Sequence, residues 1–179
     1  NSLAVKNPEL AAEWHPTRNG YITPEMVSYA SGKKVWWLGN CGHERLAVIA
    51  NRIAGNGCPI CSNKKVLEGF NDLQTTHPQL VEEWDYTKNS SLLPKLVTYG
   101  SDKKVWWICS EGHSFQATIS NRCNGKSCPY CSNTKVLKGY NDLASQYPDI
   151  AAEWDYNRNN ETPDNVVAGS NKKVWWKCK

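Results

Sequence analysis

The sequence predicts small α+β modules in tandem, each a β-hairpin with a helix, repeated with a 70-residue period. Three observations carry this reading. Pro8, Pro78 and Pro148 lie 70 residues apart, and Trp14, Trp84 and Trp154 keep the same interval; a fixed period of this size marks an array of like units. The word KKVWW begins at Lys33, at Lys103 and again at Lys172. Finally, cysteine and histidine come in tight pairs, with fourteen residues between His113 of one pair and Cys128 of the next. The period divides the chain into repeats at 1–70 and 71–140 and a shortened third at 141–179.

Each repeat opens with a helical signal. Asn71 is placed as an N-cap with Gln74 as its capping-box partner, and Pro78 interrupts or restarts the helix. Leu80, Val81 and Trp84 then share one apolar face, as do Leu10, Ala11 and Trp14, and Ile150, Ala151 and Trp154. The tryptophan of each set reads as a core anchor. A polar turn follows (Thr17–Gly20, Thr87–Ser90, Asn157–Asn160), then a proline and a loop. KKVWW is β-branched and aromatic, so it reads as a strand. His43–Ile49 and His113–Ile119 read as return strands that end at Asn51-Arg52 and Asn121-Arg122.

Composition says what must hold such a module together. There are nine Trp and eight Tyr but few aliphatics, so a 70-residue unit has a thin core and needs a metal or disulfides. Eight cysteines are present to supply either. No signal peptide and no apolar run long enough for a membrane span is visible, which points to a reducing cytoplasmic setting and to metal in preference to disulfides. Two pairs of sulfur and imidazole ligands suit tetrahedral Zn²⁺.

The second repeat offers Cys109, His113, Cys128 and Cys131 in regular spacing. The first is irregular: Gly39 stands opposite Cys109, and Cys41 opposite Glu111. Its set is read as Cys41, His43, Cys58 and Cys61, the alternative being three protein ligands completed by water. The third repeat reaches only Cys178, so its site would be completed beyond residue 179, and the chain is read as part of a longer protein. Cys123 has no ligand counterpart and reads as a spare thiol. His15 and His77 adjoin prolines at helix ends and read as capping or surface residues.

Strand, knuckle, strand, knuckle and helix is the order of a zinc-ribbon or treble-clef finger. Together, KKVWW-x-Cys, Gly-His, Asn-Arg, Cys-Pro-x-Cys and the following Asn-Asp-Leu and Glu-Trp words resemble the zinc-ribbon, treble-clef-like tandem-repeat family of bacterial and phage proteins. The resemblance covers nearly the whole chain. Cys109, His113, Cys128 and Cys131 match that family's ligand positions, while Gly39 and Cys41 depart from it. Its members often accompany nuclease-like domains, which implies nucleic-acid targeting by association only.

Function is expected from the basic and aromatic residues around each knuckle. The formal net charge of +4 permits a polyanionic partner without requiring one. Adjacent tryptophans on a strand point to opposite faces, which leaves one of each pair available. Lys33, Lys34, Lys103, Lys104, Lys172 and Lys173 flank them, with Arg52, Arg122, Lys64, Lys65 and Lys135 nearby, as candidate phosphate contacts. The expected role is a nucleic-acid-binding array, for DNA in the first instance, that targets a larger protein. A protein-interaction or spacer module is the alternative, since Glu82, Glu83 and Asp85 make one face acidic. A His-Asn-His nuclease is disfavoured, because His43 and His113 are needed as ligands, and no catalysis is expected.

Overall fold

The computed structural model describes residues 1–178; Lys179 lies outside the described residues. Two compact units form, Asn1–Thr76 with Lys95–Tyr99, and His77–Pro94 with the chain from Gly100 on. The segment at 95–99 joins the first unit through its backbone. Leu73 N–H donates to Val97 O, Asp72 bridges Thr98, and the Thr98 hydroxyl donates to Asn63 O. The compact units therefore depart from the 70-residue frame.

In the first unit, α1 (Leu3–Lys6) and α2 (Pro8–Ala12) are separated only by Asn7, whose side chain accepts from Leu10 N at 3.0 Å. Pro8 fits the first position of α2 because no intrahelical partner awaits an N–H there. Strand β1 (Lys34–Leu38) pairs antiparallel with β2 (Glu44–Val48), placing Trp37 opposite Arg45. The helical turn α3 (Ile49–Ile53) follows at once.

The pattern recurs further along. After α4 (Leu73–Thr76), α5 (Pro78–Val81) leads to β3 (Lys104–Ile108), β4 (Ser114–Thr118) and α6 (Ile119–Cys123), with Trp107 opposite Phe115. In the third repeat α7 (Leu143–Gln146) and α8 (Pro148–Ala151) precede the tryptophan pair. Asn51-Arg52 and Asn121-Arg122, expected to end a strand, instead lie within α3 and α6. None of these helices exceeds five residues, well short of the roughly 12–15 at which an isolated helix becomes marginally stable. Among the described residues no helix is long and apolar enough to cross a membrane.

Tryptophan dominates the packing. Trp37 and Trp107 are fully buried, and Trp14 and Trp84, which lie just past α2 and α5, meet them edge to face at 5.5 and 5.3 Å between centroids. Trp154 repeats the contact with Trp176 at 5.4 Å. Each buried indole N–H finds a carbonyl, Trp37 on Ala47 and Trp107 on Ala117, both at 3.1 Å, so the polar atom of a large apolar group is not stranded. The helix exit also pairs with the strand: Leu38 N–H donates to Glu13 O, and His15 N–H to Trp36 O. Around Trp37 sit Leu3, Leu10, Val27, Val35 and Ile49.

One capping assignment is corrected. The cap falls on the next residue: Asp72 accepts from Thr75 N and Asp142 from Ser145 N. Asn71 and Asn141 are buried, and each amide clamps the turn after Cys-Pro-x-Cys. Asn71 donates to Ile60 O at 2.8 Å and Lys65 O at 3.0 Å, and accepts from Leu67 N. Burial would raise the carboxyl pKa of Asp142, yet donors from Ser145 and Gly139 hold it below the usual carboxylate range. That contribution to stability is present at neutral pH and lost as acid takes the pH through the depressed value. Asp142→Ala should cost about 1–2 kcal/mol. Amide exchange at Ser145 would then accelerate roughly 5–30-fold; unchanged exchange would contradict the cap.

Candidate metal centre

The first knuckle is a turn closed by backbone bonds. In the second repeat Cys109 N–H donates to His113 O and Gly112 N–H to Cys109 O. Gly112 has φ of 77° and its counterpart Gly42 φ of 75°, a left-handed conformation that a side chain disfavours. The glycine thus turns the chain so that the histidine after it faces the cysteines. The second knuckle is a similar turn, with Ser132 N–H on Cys128 O, and the buried Asn141 amide holds its exit.

These turns bring together Cys109, His113, Cys128 and Cys131, and separately Cys41, His43, Cys58 and Cys61, with all ligand atoms of a set within 4.8 Å of one another. In both sets Nδ1 of the imidazole faces the sulfurs. Around His113 Nδ1 lie Cys131 Sγ at 3.3 Å, Cys109 Sγ at 3.5 Å and Cys128 Sγ at 3.9 Å. Around His43 Nδ1, Cys61 Sγ lies at 3.3 Å and Cys58 Sγ at 3.6 Å. A tetrahedron with Zn–S near 2.3 Å and Zn–N near 2.0–2.1 Å separates its ligand atoms by roughly 3.5–3.8 Å. Three sulfurs and one imidazole at this spacing are compatible with zinc.

The chain matches the family described as "Probable Treble clef zinc finger domain" three times, over residues 10–64, 80–134 and 150–179. It belongs to that treble-clef family. No curated protein matches the chain. Each match begins within the helix that precedes the anchoring tryptophan, so in this chain a finger includes the end of the helix ahead of its hairpin.

The displaced ligand of the first finger has a steric explanation. A Cβ at Gly39 would lie 2.8 Å from Arg45 Nη1 and 3.3 Å from Cys41 Sγ. The thiol of Cys41 therefore occupies space beside the position that Cys109 holds in the second finger. Arg45, where the second finger has Phe115, fills the rest while bonding Glu13 at 2.8 Å. Cys41 thus joins the first set as a fourth protein group, as its sequence position suggested.

Aromatic rings that the sequence reading had not singled out lean on each imidazole. Phe70 meets His43 edge to face at 4.7 Å, and Tyr140 meets His113 at 4.2 Å. Their signal was the Gly-Phe and Gly-Tyr words after each second knuckle, visible only as a pair 70 residues apart. His15 proves to be a cap, its Nδ1 accepting from Thr17 and Arg18 N–H as the Asp85 carboxylate does from Thr87 and Lys88. Cys123 stands apart from both sets, half-buried, its thiol pKa raised by burial.

The basic residues separate into two groups. Arg52 and Arg122 are buried, pairing Glu13 and Glu83 and donating to the carbonyls of Asn56 and Lys126. Both are thereby withdrawn from the expected phosphate contacts, because moving either buried guanidinium would break its pairing with a half-buried carboxylate. Lys33, Lys34, Lys64, Lys65, Lys103, Lys104, Lys135 and Lys173 are exposed. Lys172 is exposed too and pairs with Glu161. Lys104 and Lys135 line one hollow of about 250 Å³ with Trp106, and Lys34 and Lys64 line another of about 530 Å³.

The other tryptophan of each pair, half-buried in the first two repeats and exposed in the third, carries a cation that the sequence reading missed. Arg18 lies 4.5 Å over Trp36, Lys88 4.3 Å over Trp106 and Arg158 4.9 Å over Trp175. The next residue, Asn19, Asn89 or Asn159, bonds the backbone N–H and carbonyl of the same tryptophan. The signal lay in the polar turn, where a basic residue precedes Asn in every repeat.

Proton affinities within the sets are split. Burial opposes ionisation of Cys58, but the N–H groups of Cys61 and Ile60 and the neighbouring thiols bring its pKa down to about 6. Cys61 is pushed up to about 11 by burial and by Cys41 and Cys58, and Cys131 likewise by burial and by Cys128 and Cys109. Thiols with raised pKa hold their protons at neutral pH, whereas metal needs the thiolate. Metal uptake at pH 8 should therefore release at least one proton per set, and apparent affinity should rise with pH; an indicator-dye titration showing no release would contradict this. Cys41→Ala should reduce bound metal from two ions to one. Gly39→Cys combined with Cys41→Glu should not restore the second ion unless Arg45→Phe is added, as metal analysis after gel filtration would show.

Proposed function

We propose that the chain is a zinc-held nucleic-acid-binding array, with DNA the first partner to test. Zn²⁺ fills both complete sets and acts structurally, since every histidine and cysteine placed in a set is used as a ligand. The observation that carries the reading is the recurrence in every repeat of a partly exposed tryptophan under an Arg or Lys, next to a Lys-Lys pair. Lysines neutralise phosphates, and an indole gives a base a stacking surface worth about 1–3 kcal/mol in single-strand binding. Fixing the tryptophan backbone through asparagine reduces the ordering needed on contact. No residue is assigned to catalysis.

The acidic residues behind each hairpin, which motivated a protein-interaction reading, are partly accounted for within the fold. Glu13 and Glu83 pair buried arginines, and the Asp85 carboxylate closes a turn. That use weakens the alternative.

Binding of labelled oligonucleotides should weaken linearly in a plot of log affinity against log salt. Lys103→Ser with Lys104→Ser should reduce the magnitude of the slope by up to about 2 on duplex DNA, at roughly 0.9 per phosphate contact. Trp106→Ala should weaken single-strand binding by about 1–3 kcal/mol. Anisotropy titrations at several salt concentrations measure both; affinity indifferent to salt and to these changes would refute the proposal.

A further inference from the structure

The first finger carries a hollow beside its second knuckle. It measures about 530 Å³ and runs along β2, α3 and the Gly55–Pro59 loop, whereas the hollow of about 250 Å³ beside Pro129 in the second finger is lined by Trp106 and Tyr130 and not by the corresponding loop. The larger space falls within the range that encloses small molecules, about 300–1,000 Å³. Its apolar wall includes Leu46, Val48 and Pro59, and its polar groups include Asn51, Asn56 and Ser62. Four cations, Lys34, Arg45, Arg52 and Lys64, contribute to the lining, and no carboxylate does.

The charge is uncompensated in a specific way. Arg45 and Arg52 are each more than nine-tenths buried, and both bond the same oxygen of Glu13. Two positive charges thus share one negative. Nε of both residues and Nη1 of Arg45 have no hydrogen-bond partner among the described residues; Nη1 lies on the Gly39 and Cys41 side, and Nε of Arg122 in the second finger is likewise unpartnered. Lys34 and Lys64 add exposed charge at the rim, and neither is in an ion pair among the described residues. In the second finger Phe115 stands in place of Arg45 and Thr134 in place of Lys64, so two of the four cations have no counterpart there.

We propose that this hollow of the first finger binds a phosphomonoester attached to a flat apolar group, the chemistry shared by a free mononucleotide and the 5′-phosphorylated end of a strand. The phosphate contacts Lys34 and Lys64, while the buried Arg45 and Arg52 stay paired with Glu13 and act on the dianion only through their charge, which a low-dielectric wall screens less than water does. The ring packs on Leu46, Val48 and Pro59. No bond is made or broken. The site shares Lys34 with the basic pair of the first finger's platform but none of its tryptophans, and it does not depend on strand binding by the array.

The test titrates adenosine 5′-monophosphate into the metal-loaded full chain at fixed ionic strength while backbone amide shifts are followed. Saturable shifts should appear at Val48, Asn51, Asn56 and Lys64 but not at Thr118, Asn121, Lys126 or Thr134, and adenosine should bind at least tenfold more weakly. Lys34→Ser with Lys64→Thr, two exposed positions, should weaken binding at least tenfold, and Arg45→Phe should reproduce the second finger's behaviour. Non-saturable shifts, equal response in both fingers, equal affinity for adenosine, or an unaffected double variant would each overturn the site. Displacement of the monophosphate by a 5′-phosphorylated oligonucleotide, but not by its 5′-hydroxyl form, would identify the strand end as ligand; its absence would leave the free mononucleotide. A chain that binds the monophosphate but no 5′-hydroxyl strand would refute the proposed array function and leave this site standing.

Discussion

The structure depends on converging three sulfurs and one imidazole nitrogen within 4.8 Å, twice. Like polar groups do not gather so closely without a centre to attract them. Each helix here is too short to persist alone, each sheet has only two strands, and a two-stranded hairpin is marginal in water. Structural zinc in small fingers is worth about 10–16 kcal/mol, comparable with the whole net stability of an ordinary domain, about 5–15 kcal/mol. A zinc ion held by each set would therefore supply, at the two knuckles, stabilisation on the scale of a whole domain.

Tryptophan supplies what the metal cannot. The tetrad fixes the hairpin tip and second knuckle, but the helix ahead of the hairpin shares no ligand with it. That helix is attached by the edge-to-face pair Trp14–Trp37 or Trp84–Trp107 and by an ion pair from Glu13 or Glu83 to the buried arginine of the helical turn. A single glutamate thus ties the helix exit to the segment between the knuckles. The same arrangement explains why Arg52 and Arg122, attractive as phosphate contacts in a basic sequence, face inward.

Much of this was legible in the residues because period and ligand spacing are one-dimensional signals. The 70-residue repeat, the strands at the first two KKVWW words and the eight ligand candidates all follow from counting, whereas the third KKVWW word, without a return strand among the described residues, forms only an isolated bridge at Trp176. What escaped was set by side-chain direction. Asn71 and Asp72 are adjacent and both can cap, and only the fold shows that Asp72 caps while Asn71 clamps the knuckle exit. Arg18, Lys88 and Arg158 sat in what read as an ordinary polar turn, because nothing local says that the turn folds back over a strand seventeen or eighteen residues onward. The Gly39–Cys41 departure was visible, but its reason lies in Arg45, across the hairpin.

The central claim is that metal in the two tetrads holds the fingers folded, and metal removal tests it most directly. After exhaustive chelation, with metal loss verified by elemental analysis, the dispersed amide spectrum and near-ultraviolet tryptophan signal should collapse, and about two equivalents of Zn²⁺ should restore them. A metal-free chain that keeps both signals unchanged would contradict the account.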